Sequence, residues 1–184
     1  MNARIPIFPL FLVFLLIIFI AGCAWGEQPP WDEGGDVLEL RAFMRAQVRD
    51  DFVYHFAVDT DGNPLTGPGI NPAVWEGYWV VEWENGSFFI TDPEGNRVFF
   101  FEGEIVNLTD VVIRFDLEEI GEPREIQVMV VVTDRTGSLE SAMETFRNIN
   151  TRTDFVPRVF NDIRVEAIAE PSSTIDRVEG RITF

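Results

Sequence analysis

The chain has 184 residues, with 31 acidic and 14 basic side chains and a formal net charge of −17 at pH 7. This charge argues against a nucleic-acid partner, because the phosphates would be repelled. It argues equally against docking on anionic lipid head groups. It suits a hydrated surface that binds metal cations or neutral ligands.

The N-terminal segment carries a single arginine, Arg4, followed by an apolar run from about Ile5 to Ile20. The run ends in an aliphatic residue, two small residues and a cysteine, which are Ile20, Ala21, Gly22 and Cys23. This segment resembles the signal peptide and lipobox of bacterial lipoproteins. The resemblance implies cleavage before Cys23, a diacylglycerol thioether on its sulfur, and a fatty acid such as palmitate on its new amino group. The alternative is an uncleaved membrane anchor, for which the run is at the short end of the roughly 17–25 residues required.

These features divide the chain into three parts. We predict a lipoprotein signal peptide over residues 1–22, a lipidated tether over 23–36 and a single domain over 37–184. Signal segments are set aside from fold reasoning, and buried acyl chains would hold the mature protein at the membrane. Ala24 follows the cysteine where an aspartate would favour the inner membrane. By the same resemblance, the protein is expected on the outer membrane or cell surface.

The rest of the chain alternates apolar and polar residues with period two, which is typical of half-buried strands. Asn85-Gly86 separates two such segments and indicates a tight hairpin. The segments between the predicted strands are too short for the crossover connections that parallel strands require, so the strands should pair antiparallel. We therefore predict an all-β fold, an antiparallel sandwich of jelly-roll or immunoglobulin-like type. The clearest strand segments, in chain order, are 38–46, 51–59, 76–84, 87–91, 97–105, 111–117 and 125–134.

One segment departs from the strand pattern. In 138–149 the apolar residues recur at helical spacing without an interrupting Gly or Pro, and this spacing predicts one short helix. These residues are Leu139, Ala142, Met143, Phe146 and Ile149.

The loop after the second predicted strand reads DTDGNPLTGPG, residues 59–69. Asp59, Asp61 and Asn63 could offer three side-chain oxygens to a calcium ion. An EF-hand is excluded, because Pro64 and Ile70 occupy the positions of its glycine and its bidentate glutamate. The alternative is a turn without metal, since Asp, Asn, Gly and Pro are the common turn residues.

Two aromatic residues just before or at the start of the third strand, Trp75 and Tyr78, are the predicted ligand-binding residues. Trp79 and Trp83 share one strand face with Val81, and this alternation predicts that they belong to the core.

Catalysis has little support in the sequence. His55 is the only histidine, and without a second histidine or a free cysteine it makes a poor transition-metal ligand. It is expected on the surface or in a polar contact between strands. No serine lies in a strand-turn-helix elbow. We therefore predict a protein that is not an enzyme.

Three stretches between about Val37 and Asp134 resemble the DOMON-like sandwich superfamily, which includes family 9 carbohydrate-binding modules. They are YHFAVDTDGNPLTGPG, GYWVVEWENGSFFI and VVIRFDLEEIGEPREIQVMVVVTD. The family's Asp-x-Asp-x-Asn-x-x-Thr-Gly loop is matched by Asp59, Asp61, Asn63, Thr66 and Gly67.

This resemblance implies an extracytoplasmic sandwich that binds sugars, haem or other ligands, and it supports calcium at the loop. Haem-binding members use a methionine and a histidine, which here would be His55 with Met129 or Met44. Function is not settled by fold.

The sequence as a whole predicts a non-catalytic envelope lipoprotein that binds a ligand, with a neutral carbohydrate as the first candidate, or that has a structural role. A small glycan hydrolase and an accessory subunit of an envelope complex are the alternatives. The predicted partner is the membrane, through the lipid anchor, and nucleic acid is excluded. Of the two cofactors that the resemblance raises, calcium is favoured over haem.

Overall fold

The computed structural model describes residues 36–167 and 169–184. The predicted signal peptide, Cys23 and nearly all of the predicted tether lie outside the described residues. Over the ranges described, no helix has both the length and the hydropathy needed to cross a membrane.

Strands make up almost all the regular structure of the described residues, and the other element is a 3-10 helix at Pro72–Val74. The strands are β1 (Val37–Met44), β2 (Phe52–Asp59), β3 (Trp79–Glu84), β4 (Ser87–Thr91), β5 (Arg97–Phe99), β6 (Gly103–Val106), β7 (Asp110–Asp116), β8 (Glu125–Asp134), β9 (Leu139–Met143), β10 (Arg147–Asn150), β11 (Arg158–Phe160), β12 (Ile163–Val165) and β13 (Ile175–Thr183).

These strands form two sheets. The five-stranded sheet has the order β11-β13-β1-β7-β6, and the eight-stranded sheet has the order β12-β9-β8-β2-β3-β4-β5, with β10 also paired to β8. Neighbouring strands pair antiparallel throughout. The predicted all-β antiparallel sandwich is confirmed.

The core lies between the facing sides of the two sheets. In β1 every second residue is buried, beginning with Leu38 and Leu40, as its alternation predicts. β2 and the middle of β8 are instead buried on both sides. Their outer side is covered by other parts of the chain. There Trp75, from the segment between β2 and β3, contacts the ring of His55.

The short helix predicted near 138–149 is wrong. This segment forms two strands, β9 and β10, which pair with different halves of β8. Ala142, Met143 and Ile149 are buried and Leu139 and Phe146 are half-buried. The segment reaches the core through strands that pair with β8. Tertiary pairing outweighs local periodicity here, because each pair adds ladder hydrogen bonds and burial that an isolated amphipathic turn lacks.

The single strand expected over 97–105 is also wrong. Its residues divide between β5, at one edge of the eight-stranded sheet, and β6, at one edge of the other sheet. Between them Phe100 packs against Phe115 with ring centroids 5.6 Å apart. The chain thus crosses from one sheet to the other, and Phe99 and Phe101 are left exposed.

Candidate functional site

A row of three polar side chains crosses the outer face of the eight-stranded sheet. Asp59, the last residue of β2, is the cross-strand partner of Gln127 on β8. Gln127 is in turn the partner of Asn148 on β10. Directly opposed residues of an antiparallel pair project to the same face, about 5 Å apart at their Cβ atoms. Residues 59, 127 and 148 therefore form one continuous polar strip, called here the polar row.

Gln127 is the unusual member of the polar row. Its side chain is fully buried, and neither its amide oxygen Oε1 nor its amide nitrogen Nε2 has a hydrogen-bond partner in the protein. The Oδ1 atom of Asn148 is also buried without a partner. More than nine in ten buried polar groups in native proteins are paired. The polar row thus offers two acceptors and one donor that the chain itself does not use.

The loop over residues 60–69 covers this row. A Cβ atom at Gly67 would lie 2.8 Å from Cγ of Phe146 and 3.0 Å from Cβ of Gln127. Only glycine allows the loop backbone to come this close. The side-chain Nδ2 of Asn148 donates to the Pro64 carbonyl at 3.4 Å. The loop therefore closes the row from above.

The three residues predicted to bind calcium also shape this loop. Asp59 Oδ1 accepts a hydrogen bond from the Asp61 backbone N–H at 3.0 Å, and Asp61 Oδ1 accepts one from Asn63 at 2.7 Å. Asn63 Oδ1 accepts one from Leu65 at 3.1 Å. These are three consecutive turns in which the side chain bonds the backbone two residues ahead. The hydrogen bonds therefore show that these three side chains form turns within the loop.

Strand pairing places Tyr78 close to Asp59, because Tyr78 directly precedes Trp79, the cross-strand partner of Val58. Burial raises the pKa of Asp59, and the nearby charge of Asp61 adds to this while a hydrogen bond from the Asp61 backbone opposes it. Burial also raises the pKa of Tyr78, and the charges of Asp59 and Asp61 raise it further. A predicted binding residue and two predicted metal ligands thus lie in one region. Together, Asp59, Asp61, Tyr78, Gln127 and Asn148 are called the loop site.

The donor set of the loop site fits a hard cation in part. Two carboxylates come from Asp59 and Asp61, and neutral oxygens come from Gln127 and Asn148, whereas calcium takes six to eight oxygens. Within residues 36–167 and 169–184, no group of three or more His, Cys, Asp or Glu side chains is placed to hold a metal. The Nε2 group of Gln127 is a donor, which a cation cannot satisfy. A hydroxyl group could pair with both atoms of this amide.

Trp75 is part of the structure that holds the loop. Its side chain is 5% exposed, and its Nε1–H donates to the Gly69 carbonyl at 2.7 Å. Its ring meets the ring of His55 edge-on, with centroids 6.2 Å apart. Trp75 therefore presents no free face on which a sugar ring could stack, whereas Tyr78 is only partly buried.

His55 has the polar inter-strand contacts expected from the sequence. Its Nδ1 lies 2.9 Å from Oε1 of Glu82, and its Nε2 lies 2.9 Å from Oγ1 of Thr133. The hydrogen bond with His55 is the main factor that lowers the pKa of Glu82, and Arg97 lowers it further. With both ring nitrogens engaged by the protein, His55 offers no ligand to a haem iron in this arrangement.

The signal that could have revealed Gln127 is weak. It is the one amide in the apolar stretch IQVMVVV, and a polar residue within a buried strand is informative. Its partners Asp59 and Asn148 could not be read from the sequence, because they depend on strand register.

Comparison with known proteins adds no neighbour, since no family model, curated protein or solved structure matches this chain. The DOMON-like resemblance therefore stays a prediction from sequence. The loop site has to be interpreted from its own geometry.

Proposed function

We propose that this chain is a non-catalytic lipoprotein of the bacterial cell envelope that binds a ligand at the loop site. The observation that carries the proposal is the buried amide of Gln127, which lacks partners beside Asp59 and Asn148. A buried polar group left unpaired costs about 1–3 kcal/mol. A ligand that completes the polar row would recover this cost.

The proposed ligand is a neutral carbohydrate. A sugar hydroxyl can accept from Nε2 of Gln127 and donate to its Oε1, and a second hydroxyl can donate to Oδ1 of Asn148 or to a carboxylate. The carboxylates of Asp59 and Asp61 disfavour anionic ligands by repulsion. Because Gln127 is fully buried, binding requires the exposed loop residues 61–66 to move outward.

Calcium is the proposed cofactor of the same site. The carboxylates of Asp59 and Asp61 with the amide oxygens of Gln127 and Asn148 would hold it, and the ion would fix the loop against the sheet. Calcium and carbohydrate are not exclusive, since a bound cation could itself coordinate sugar hydroxyls.

The decisive experiment uses the full-length protein in detergent on a glycan array, with calcium and with chelator in parallel. We expect binding to a neutral glycan, and loss of that binding in Gln127→Leu but not in Gln47→Leu. Gln47 is the control because it is exposed and precedes the start of β2, whereas Asp59 is the last residue of that strand. An equal signal for both variants and the unaltered chain would exclude the loop site. Release of reducing sugar from a bound glycan would instead support the hydrolase alternative.

The lipid anchor is tested separately. Mass spectrometry of the mature protein should show a diacylglyceryl and acyl group at Cys23, and both groups should be absent from Cys23→Ser. A full-length, unmodified chain that stays in the membrane would support an uncleaved anchor instead.

A second candidate function, an accessory subunit of an envelope complex, is favoured by exposed apolar residues at the β5 edge. Val98, Phe99 and Phe101 are 58%, 61% and 87% exposed. If this edge contacts a partner subunit, Phe101→Ser should reduce the native mass of the membrane-extracted assembly without altering glycan binding.

A further inference from the structure

A second apolar cluster, distinct from the loop site and from the β5 edge, lies beside the start of the domain. Phe155 and Phe184 pack their rings together with centroids 4.7 Å apart. Phe184 is 82% exposed, and Val156, next to Phe155, is 76% exposed. Phe155, Val156 and Phe184 are called here the entry patch.

The position of the entry patch follows from strand pairing. Phe184 comes directly after Thr183, which pairs with Val37, the first residue of β1. The backbone N–H of Ile182 donates to the Asp154 carbonyl at 2.9 Å, which holds the 154–156 segment beside β13. The entry patch therefore lies at the point where the chain enters the domain from residue 36.

A groove lies next to the entry patch, where the chain enters the domain. It has a volume of about 490 Å³, and Phe155 lines it together with Asp36, Leu117 and Pro123. The acidic side chains of Glu118 and Glu122 and the single basic side chain of Arg152 lie along it as well. The surroundings of the patch thus carry more negative than positive charge.

We propose that the entry patch rests on the zwitterionic lipid surface around the Cys23 anchor, so that this end of the sandwich faces the membrane. The inference depends on the proposed function for the lipidated cysteine. Roughly a dozen residues separate Cys23 from Asp36. They reach at most about 45 Å at 3.3–3.6 Å per residue. The domain is thus tethered by this end within a short distance of the bilayer.

The chemistry of the patch favours lipid over a second copy of the chain. An aromatic side chain has about 150–250 Å² of surface that burial can cover. At their observed exposures, the two phenylalanines and the valine of the entry patch together present roughly 300–400 Å² of apolar area. A stable protein interface needs about 800 Å² from each partner. A lipid surface has no such minimum, because the strength of binding there scales with the apolar area that is buried. The acidic groups beside the patch exclude an anionic leaflet as the preferred surface.

The test uses the full-length lipidated protein in nanodiscs of phosphatidylcholine. Because Cys23 is the only cysteine, a thiol-reactive spin label should not attach to the unaltered chain, and Val156→Cys then provides a single labelling site. Val98→Cys is the matched control, because Val98 is also an exposed valine but lies on β5 at the edge of the other sheet. Collision of the label with oxygen, which concentrates in lipid, is compared with collision with a water-soluble nickel complex.

We expect the label at position 156 to gain oxygen collisions and lose nickel collisions relative to the label at position 98. We also expect this difference to shrink when phosphatidylglycerol replaces part of the phosphatidylcholine. Equal collision rates at the two positions, in a protein that remains on the disc, would overturn the entry-patch inference and leave the lipid anchor intact. Spin labelling of the unaltered chain, or its failure to associate with the disc, would overturn the proposed anchor itself.

Two further outcomes would assign the patch to a different occupant and so also overturn the inference. Dipolar broadening between labels at position 156 on separate chains would indicate a second copy. A label that is shielded from both reagents in detergent as well as in nanodiscs would indicate that the tether residues cover the patch.

Discussion

Replacing Gln127 by methionine should stabilise the ligand-free protein. Methionine has nearly the same length and flexibility as glutamine, so Gln127→Met keeps the shape of the buried side chain and removes its two polar atoms. Those atoms have no partner beneath the loop, and the side chain is fully buried. Folding then no longer removes an amide from water without compensation.

The expected size follows from the burial of one amide. An unsatisfied buried polar group costs about 1–3 kcal/mol, and a near-isosteric apolar replacement loses less than about 1.5 kcal/mol through imperfect packing. The net gain is therefore about 1 kcal/mol, with an upper limit of about 3 kcal/mol when the packing loss is negligible. In a domain of this size, each kcal/mol raises Tm by about 2–4 °C.

Denaturant unfolding measures this change in the free energy of unfolding. The samples are the unaltered chain, Gln127→Met and Gln47→Met, each with calcium, with chelator and with any glycan found on the array. Gln47 is exposed, so its replacement should stay within about 0.5 kcal/mol of the unaltered chain. A ligand at 100 times its Kd should stabilise the unaltered chain by about 2.7 kcal/mol, and this gain should be lost in Gln127→Met. If Gln127→Met destabilises the ligand-free protein by more than 1.5 kcal/mol, the amide is already paired in solution and the reasoning behind the loop site fails.

Three other perturbations test the packing and the electrostatics of the fold. Gly103→Ala should cost about 1–3 kcal/mol in denaturant unfolding, because a Cβ there would lie 2.5 Å from the ring of Phe88, and an unchanged midpoint would show that the ring moves freely. The contact with His55 lowers the pKa of Glu82 from its usual 4.5. The ionised Glu82 therefore stabilises the fold fully above pH 4.5, and this stabilisation is lost as the pH falls below 4.5. Glu82→Gln should flatten the acid limb of the curve of unfolding free energy against pH. Burial raises the pKa of Tyr54 to about 12. Because this tyrosine ionises first in the unfolded chain, the free energy of unfolding should fall from about pH 10 upward. Tyr54→Phe should remove that loss, and an alkaline limb identical to that of the unaltered chain would contradict the raised pKa of Tyr54.

Much of the sandwich could be predicted because most strands have one side in the core and one in water. In β1 and β7 the residues expected to point inward, Leu38 and Ile113 among them, are fully buried. This works because side chains of a strand alternate between faces. The same rule fails at β2, where covering segments bury both faces and the alternation gives no sign of that cover. In β8 the sequence is apolar almost throughout, which indicates a central strand, and β8 is central and buried on both faces.

The helix prediction failed for a related reason. Ala142, Met143 and Ile149 are buried, as an amphipathic helix would require. Short strands on the same side of β8 bury the same residues, because each pairs with only part of that long strand. Periodicity shows which residues need burial, but the element that buries them depends on partners far away in the sequence.

Trp75 shows the same limit at the scale of one side chain. Its place in a loop before a strand suggested an exposed ring, since connecting segments usually run over the surface. The loop instead folds back onto the sheet, and the indole anchors it through the Gly69 carbonyl. The sequence singled out 59–78 by its turn residues and its aromatic residues. The role of the tryptophan in this segment depends on a fold-back that no local pattern records.

The two interpretations of the Asp59 loop can be separated only on the sheet beneath it. Asp61 and Asn63 hold the loop through hydrogen bonds to its own backbone, so their loss would disturb the loop whether or not a ligand binds. Gln127 and Asn148 lie on paired strands, and their unpaired atoms take no part in those turns. A ligand response that disappears with the strand residues while the loop stays intact therefore reports binding, whereas a response that follows only the loop residues reports turn stability.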